Sequence, residues 1–345
     1  MPRSPAGWRS DMDAPPHPRD VYGLEGLDAA EAAFLDAQGR GRLHHAWLLT
    51  GPEGIGKATL AYRLARRLLG AKPDPTQGLL GASPSDKVSR QVAARSHPDL
   101  MILERATDDG KARKAIPVDE ARRLPEFFAN SPAISPYRVA IIDAADDLNV
   151  NAANAVLKTL EEPPPRGVIL LVSHAPGKLL PTIRSRCRRL AVAAPGLEAA
   201  ARMVELRAGL GRVEAERLAR MSHGAPGRAL QLAASGALAI DDAASEILRS
   251  LPAIDEAALL ALSDTFRGGE GAARFELLFE RLADQVHAMT TRLATSGASP
   301  AVDRWAAVWD RLSRWPGEAE AINLDRADVF WSAISDLRAA ARTAM

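Results

Sequence analysis

One cysteine, Cys187, stands in a chain of 345 residues, so no intrachain disulfide can close and no cysteine-rich zinc site can be built. A reducing cytoplasmic setting is the simplest expectation. Neither sign of charge prevails: 44 Lys and Arg face 43 Asp and Glu, a formal net charge of +1. That balance excludes a protein that coats nucleic acid by bulk electrostatics, while a local basic face remains open. Long apolar runs are missing as well. The longest, such as Val168 to Val172, have strand length, far from the roughly 20 residues of a membrane span, so no membrane association is expected. Met1 to about Asp20 carries Pro2, Pro5, Pro15, Pro16 and Pro18 with scattered charge and no signal-peptide core; it reads as a disordered leader.

What is present fits a soluble protein of two or three domains, with 47% hydrophobic and 25% charged residues. The strongest local signal is Leu48-Leu49-Thr50-Gly51-Pro52-Glu53-Gly54-Ile55-Gly56-Lys57-Ala58-Thr59. An apolar run of strand length, His45 to Thr50, leads into a glycine loop, and Lys57 to Leu69 follows with Leu60, Leu64 and Leu68 at helical spacing. Arg63, Arg66 and Arg67 fall off that stripe, and Gly70 stops the helix. Strand, glycine loop and helix together form a phosphate loop, in which backbone amides close around phosphate oxygens and a lysine reaches the terminal phosphates. Gly51, Gly54, Gly56 and Lys57 are the candidate phosphate ligands. The next position should carry a hydroxyl for magnesium, and here it is Ala58. Thr59 is one residue on, about 100° away around the helix, and does not simply substitute.

A second loss follows in Val139-Ala-Ile-Ile-Asp143-Ala144-Ala145-Asp146. In a site of this kind the acid ending the strand helps hold magnesium and a following Glu polarises the attacking water. Asp143 is kept, as a magnesium ligand or as a strand-end turn cap, but Ala144 stands at the place of the water-activating carboxylate. Asp146 and Asp147 are expected to begin the next helix, where negative charge suits the dipole.

Elsewhere, Leu27 to Gln38 reads as a helix, Ala71 to Ser96 as a polar stretch that loops out, Asp99 to Glu104 as a strand, and Gly110 to Lys114 as a charged loop. Val118 to Ala129 and Asn149 to Glu162 read as helices, the second stopped by Pro163 to Pro165. Tyr137 to Asp143, Gly167 to Ser173 and Arg189 to Ala193 complete five strands. Apolar strands alternating with helices imply a parallel five-stranded sheet covered on both faces. Beyond Pro195 the chain is helical. Phe275, Leu278, Phe279, Leu282 and Val286 make one stripe and Trp305, Val308, Trp309, Leu312 and Trp315 another, both read as core.

Asn154-Ala-Val-Leu-Lys-Thr-Leu-Glu-Glu-Pro-Pro, Leu180-Pro-Thr-Ile-Arg-Ser185-Arg186-Cys187 and His44-His45-Ala46-Trp47, taken with the phosphate loop, resemble the clamp-loader branch of the AAA+ proteins over about residues 24–235. The resemblance implies an AAA+ phosphate-loop domain (21–195), a small helical lid (196–240) and an all-α collar for oligomerisation (241–345), after the leader (1–20). It implies a hetero-oligomer with ATPase subunits of the tau and gamma kind and a delta subunit, acting on the sliding clamp and primed DNA.

The resemblance also assigns roles. Arg186 would project into the ATP site of an adjacent subunit as a trans-acting finger; the other reading makes Arg184, Arg186, Arg188 and Arg189 a basic cluster facing solvent or DNA. Ser173 would be the first sensor, or only a strand-end hydroxyl. Arg228, in His223-Gly-Ala-Pro-Gly-Arg228-Ala-Leu, would be the second sensor, or an interdomain salt bridge. ATP or ADP with magnesium is the candidate ligand of a degenerate site. Related chains often carry a four-cysteine zinc module between the phosphate loop and the second strand, and Ala71 to Ser96 has no cysteine, so no zinc is expected. Cys187 is read as a small apolar residue rather than a reactive thiol. The whole reads as a non-hydrolysing clamp-loader subunit, with a divergent but active AAA+ ATPase and a stand-alone nucleic-acid-binding module as rivals.

Overall fold

Continuous apolar strands need cover on both faces, and that requirement sets the architecture. A computed structural model describes residues 16–23, 25–105, 107–108, 111–112, 115–269, 271–295 and 299–342. Five parallel strands, β1 (Ala46–Thr50), β2 (Leu100–Glu104), β3 (Arg138–Asp143), β4 (Gly167–Ser173) and β5 (Arg188–Ala191), form one sheet in the order β2-β3-β4-β1-β5. Each strand sends alternate residues to opposite faces. One face carries Trp47, Leu49, Ile141 and Leu170, packed with Phe34 of α1 (Asp28–Gly39) and Leu60 and Leu64 of α2 (Lys57–Leu68). The other carries Leu48, Ile142, Ile169 and Leu171. It is covered by α4 (Val118–Arg122), α5 (Leu124–Ala129) and α6 (Val150–Glu161), which follow α3 (Lys87–Ala93) in the chain.

After the short α7 (Pro181–Ser185) and β5 come the helices α8 (Leu197–Ala208), α9 (Arg212–Met221) and α10 (Pro226–Ala234). The described residues fall into two compact units, one ending at Gln231 and the other beginning at Leu232. That division lies inside α10, ahead of the boundary near 240. The second unit holds α11 (Ala237–Arg249), α12 (Glu256–Asp264), α13 (Gly271–Thr295), α14 (Ser299–Ala321) and α15 (Arg326–Arg342). Phe275, Leu278, Phe279, Leu282 and Val286 of α13 are buried as their stripe predicts, with Trp305, Val308 and Leu312 of α14. Trp309 departs from its stripe: it is 39% exposed and its ring lies 5.2 Å from that of His287.

Two further expectations are corrected, and the burial of two arginines adds a feature that helical spacing does not show. Residues 16–20, read as the end of a disordered leader, are ordered: Pro18–Asp20 forms a 3-10 turn, and Arg66 donates to the carbonyl of Arg19. The rest of the leader lies outside the described residues. Ala71 to Ser96 does not loop out, because α3 forms there with Asp86 as its N-cap and Leu80, Ala82 and Val92 are buried. Arg63 and Arg66, off the apolar stripe of α2, are each only 1% exposed. Arg63 pairs with Glu31 at 2.6 Å and donates to the carbonyls of Tyr22 and Gln77, while Arg66 stacks 4.3 Å over the Tyr22 ring. Of the Gly110 to Lys114 loop, Lys111 pairs with Asp108 and Ala112 with Thr107; Gly110, Arg113 and Lys114 lie outside the described residues.

Candidate nucleotide-binding and trans-acting site

The glycine loop sits at the carboxyl end of β1, where open α/β sheets place their ligands. Gly54 and Gly56 have φ of +73° and +96°, a left-handed conformation that a side chain would strain. Gly56 caps α2 without any side-chain hydrogen bond, so the positive end of a 12-residue helix opens onto the loop. Lys57, 5% exposed, folds its ammonium back onto the carbonyls of Gly51 (2.7 Å) and Pro52 (2.5 Å). Burial lowers its pKa, against the opposing pull of Glu53, Asp146 and Asp143. Ala58 is half-buried and brings no oxygen; Thr59 is buried in α2, 7% exposed.

Asp143 ends β3 directly opposite Glu104, the last residue of β2, in the parallel register. Burial and then the Glu104 charge push the Asp143 carboxyl up to about 6. Glu104 itself is held below its ordinary value, first by a hydrogen bond from His17 of the ordered N-terminal turn, with Arg95 2.5 Å away. The sequence reading missed Glu104, although an acid ending two neighbouring strands is a visible signal once they are paired. Ala144 and Ala145 are buried and leave no carboxylate at the following positions.

Asp146 does not begin a helix. It lies in the 3-10 turn Ala145–Asp147, and its carboxylate accepts from Ser173 Oγ (2.9 Å) and from the amides of His174 (2.8 Å) and Ala175 (3.1 Å). Asn149 caps α6 instead, accepting from the Ala152 amide. Ser173 is fully buried at the end of β4, held by this bracket.

The start of α10 meets the loop through backbone. Gly227 N–H donates to the Gly54 carbonyl at 2.7 Å, and a Cβ on Gly54 would stand 2.4 Å from the Arg228 nitrogen. Arg228, half-buried at the start of α10, is thereby brought beside the loop.

The four arginines near Cys187 divide among separate environments. Arg189 donates to Thr50 Oγ1 at 2.9 Å at the end of β1. Arg188 lies 4.7 Å over the Trp47 ring, and Arg184 is exposed on α7. Arg186 caps the C-terminus of α7, donates to the Thr182 carbonyl at 3.1 Å and pairs with Glu161 at 3.0 Å. Its side chain is 36% exposed. Burial pushes the Cys187 thiol up to about 12, which removes thiolate reactivity at neutral pH.

The family model "DNA polymerase III, delta subunit" matches residues 28–195. A DNA polymerase III subunit delta' of Pseudomonas aeruginosa is 41% identical over 169 residues, 49% of this chain and 49% of that protein. The delta' subunit of Yersinia pestis is 30% identical over 263 residues, covering 75% of this chain and 74% of that one. A gamma/tau subunit of Mycobacterium tuberculosis is 38% identical over 167 residues, 48% of this chain and 27% of that one. The stretch shared with the Pseudomonas protein thus spans about half of that relative's length. Among the described residues, no helix is long and apolar enough to cross a membrane.

Proposed function

Because the chain belongs to the delta' family of DNA polymerase III subunits, we propose that it serves as the non-hydrolysing member of a clamp loader. In this reading it lends Arg186 to the ATP site of a neighbouring subunit. The observation that carries it is a double loss in an otherwise standard scaffold: Ala58 stands where a hydroxyl should bind magnesium, and Ala144 where a carboxylate should activate water. The loop amides, the open N-terminus of α2 and Lys57 fit a phosphate chain. The donor set is incomplete for a hydrolytic magnesium, since Ala58 offers no oxygen and Ala144 no carboxylate beside Asp143. ATP or ADP would be a held ligand here, with Gly51, Gly54, Gly56 and Lys57 on its phosphates and Arg228 beside them. Ser173 would act only through the Asp146 bracket, and Thr59 would support α2.

In trans the chemistry differs. A guanidinium at a neighbour's terminal phosphate spreads its charge over the developing oxygens, and such fingers contribute several orders of magnitude in rate. The place of Arg186 at the C-terminus of α7 supports that role, with its side chain 36% exposed and apart from the arginines engaged by Thr50 and Trp47. The partners would be gamma/tau-type ATPase subunits and a delta subunit, with the sliding clamp and primed DNA reached through the complex.

The test is nucleotide binding and turnover by the isolated chain. Binding of a fluorescent ADP that Lys57→Ala weakens, with no magnesium-dependent hydrolysis, fits the proposal. Hydrolysis that disappears in Lys57→Ala would favour an active ATPase instead, and salt-sensitive DNA binding by the lone chain would favour a nucleic-acid module.

A further inference from the structure

We propose that Glu161 is the positioning residue for Arg186. The inference rests on the reading of Arg186 as a finger for a neighbouring site. Two acceptors from separate elements hold the guanidinium: the Glu161 carboxylate at the last residue of α6, 3.0 Å from one terminal nitrogen, and the Thr182 carbonyl of α7, 3.1 Å from the other. The Arg186 amide also bonds to the Ile183 carbonyl at 3.2 Å, which fixes where the side chain leaves the backbone.

Stability does not explain the pair. The two side chains are 36% and 51% exposed, and ion pairs of that kind contribute little to folding. Glu161 is moreover placed against its helix, since a carboxylate at a C-terminus opposes the macrodipole and a cation would suit it better. What the pair does supply is orientation. A free arginine at the surface samples many rotamers, and immobilising it during catalysis would cost entropy at that moment. With two anchors that cost is met on folding. A guanidinium has five N–H donors in a planar fork, and two are used here, so three remain for a phosphate. Glu161 thereby gives a role to the first glutamate of the Leu-Lys-Thr-Leu-Glu-Glu-Pro segment.

A second possibility has the opposite sign. If Glu161 were a competing anion that kept Arg186 occupied, removing it would speed the neighbour's hydrolysis.

The test uses the reconstituted loader and its DNA-stimulated ATPase. Glu161→Ala should lower kcat about threefold, the scale of an exposed ion pair, with KM for ATP unchanged. Glu161→Gln keeps an acceptor and should recover most of the loss. The double variant Glu161→Ala/Arg186→Ala should be no slower than Arg186→Ala alone, as expected when one residue acts through the other. Thermal unfolding of Glu161→Ala should come no lower than the wild type, whereas a stabilising role would lower it. Unchanged or faster turnover in Glu161→Ala, while Arg186→Ala is slow, would overturn the positioning role and leave the finger standing. Unchanged turnover in Arg186→Ala would remove the finger itself, and the positioning role with it.

Discussion

Gly227 donates its amide to the carbonyl of Gly54 across 2.7 Å, so the start of α10 and the glycine loop meet with no side chain between them. A Cβ at position 227 would stand 2.8 Å from that carbonyl oxygen and 3.3 Å from the Gly54 Cα. Gly227→Ala should therefore push α10 off the loop and cost about 1–3 kcal/mol, read as a lower midpoint in thermal unfolding with faster proteolysis in residues 197–234. Gly39→Ala is the control, because nothing lies within 4 Å of its added Cβ.

Glu31 and Arg63 form a buried pair, 2% and 1% exposed, and Glu31 also accepts the Leu80 amide at 3.1 Å. Removing one member leaves the other charge buried without its counter-ion, so Glu31→Ala should destabilise by about 3–5 kcal/mol. Chemical denaturation measures the loss. A change below about 1 kcal/mol would mean that the Tyr22 and Gln77 carbonyls hold Arg63 unaided.

The pairing of β2 with β3 also sets a pH dependence. Asp143 rises from 3.8 to about 6 on folding because it is buried beside Glu104. A carboxyl raised in this way favours the fold fully below pH 3.8; that contribution fades as pH climbs and is gone above about 6. The difference corresponds to about 3 kcal/mol at most. Asp143→Asn should abolish this component, flattening the stability profile between pH 4 and 6.5 and raising stability at pH 7.5. Equal pH profiles in the two proteins would contradict the raised value.

These predictions mark where the sequence was readable and where it was not. Strands β1 to β4 begin and end within one residue of their expected places, because apolar runs between glycine, proline and charge admit few other readings, and β5, Arg-Arg-Leu-Ala, lies within two. The phosphate loop was equally open, since its chemistry is local. The buried arginines of α2 were not, because helical spacing assigns charged positions to solvent and their partners come from 14 to 47 residues away. Asp146 was misread for the same reason. Its three donors arrive from the end of β4, and no spacing within 143–150 announces them. Trp309 keeps the period of a core stripe yet faces out, for the buried arc of α14 is narrower than the tryptophan spacing suggests.

On the proposed function, this chain keeps a phosphate loop for its shape and contributes to hydrolysis next door. The most direct measurement compares Lys57→Ala and Arg186→Ala in one reconstituted loader, by DNA-stimulated ATPase, after confirming that both complexes assemble. A rate close to wild type for Lys57→Ala and a severely reduced one for Arg186→Ala is the predicted result. The reverse pattern, with Lys57→Ala inactive and Arg186→Ala unaffected, would contradict it.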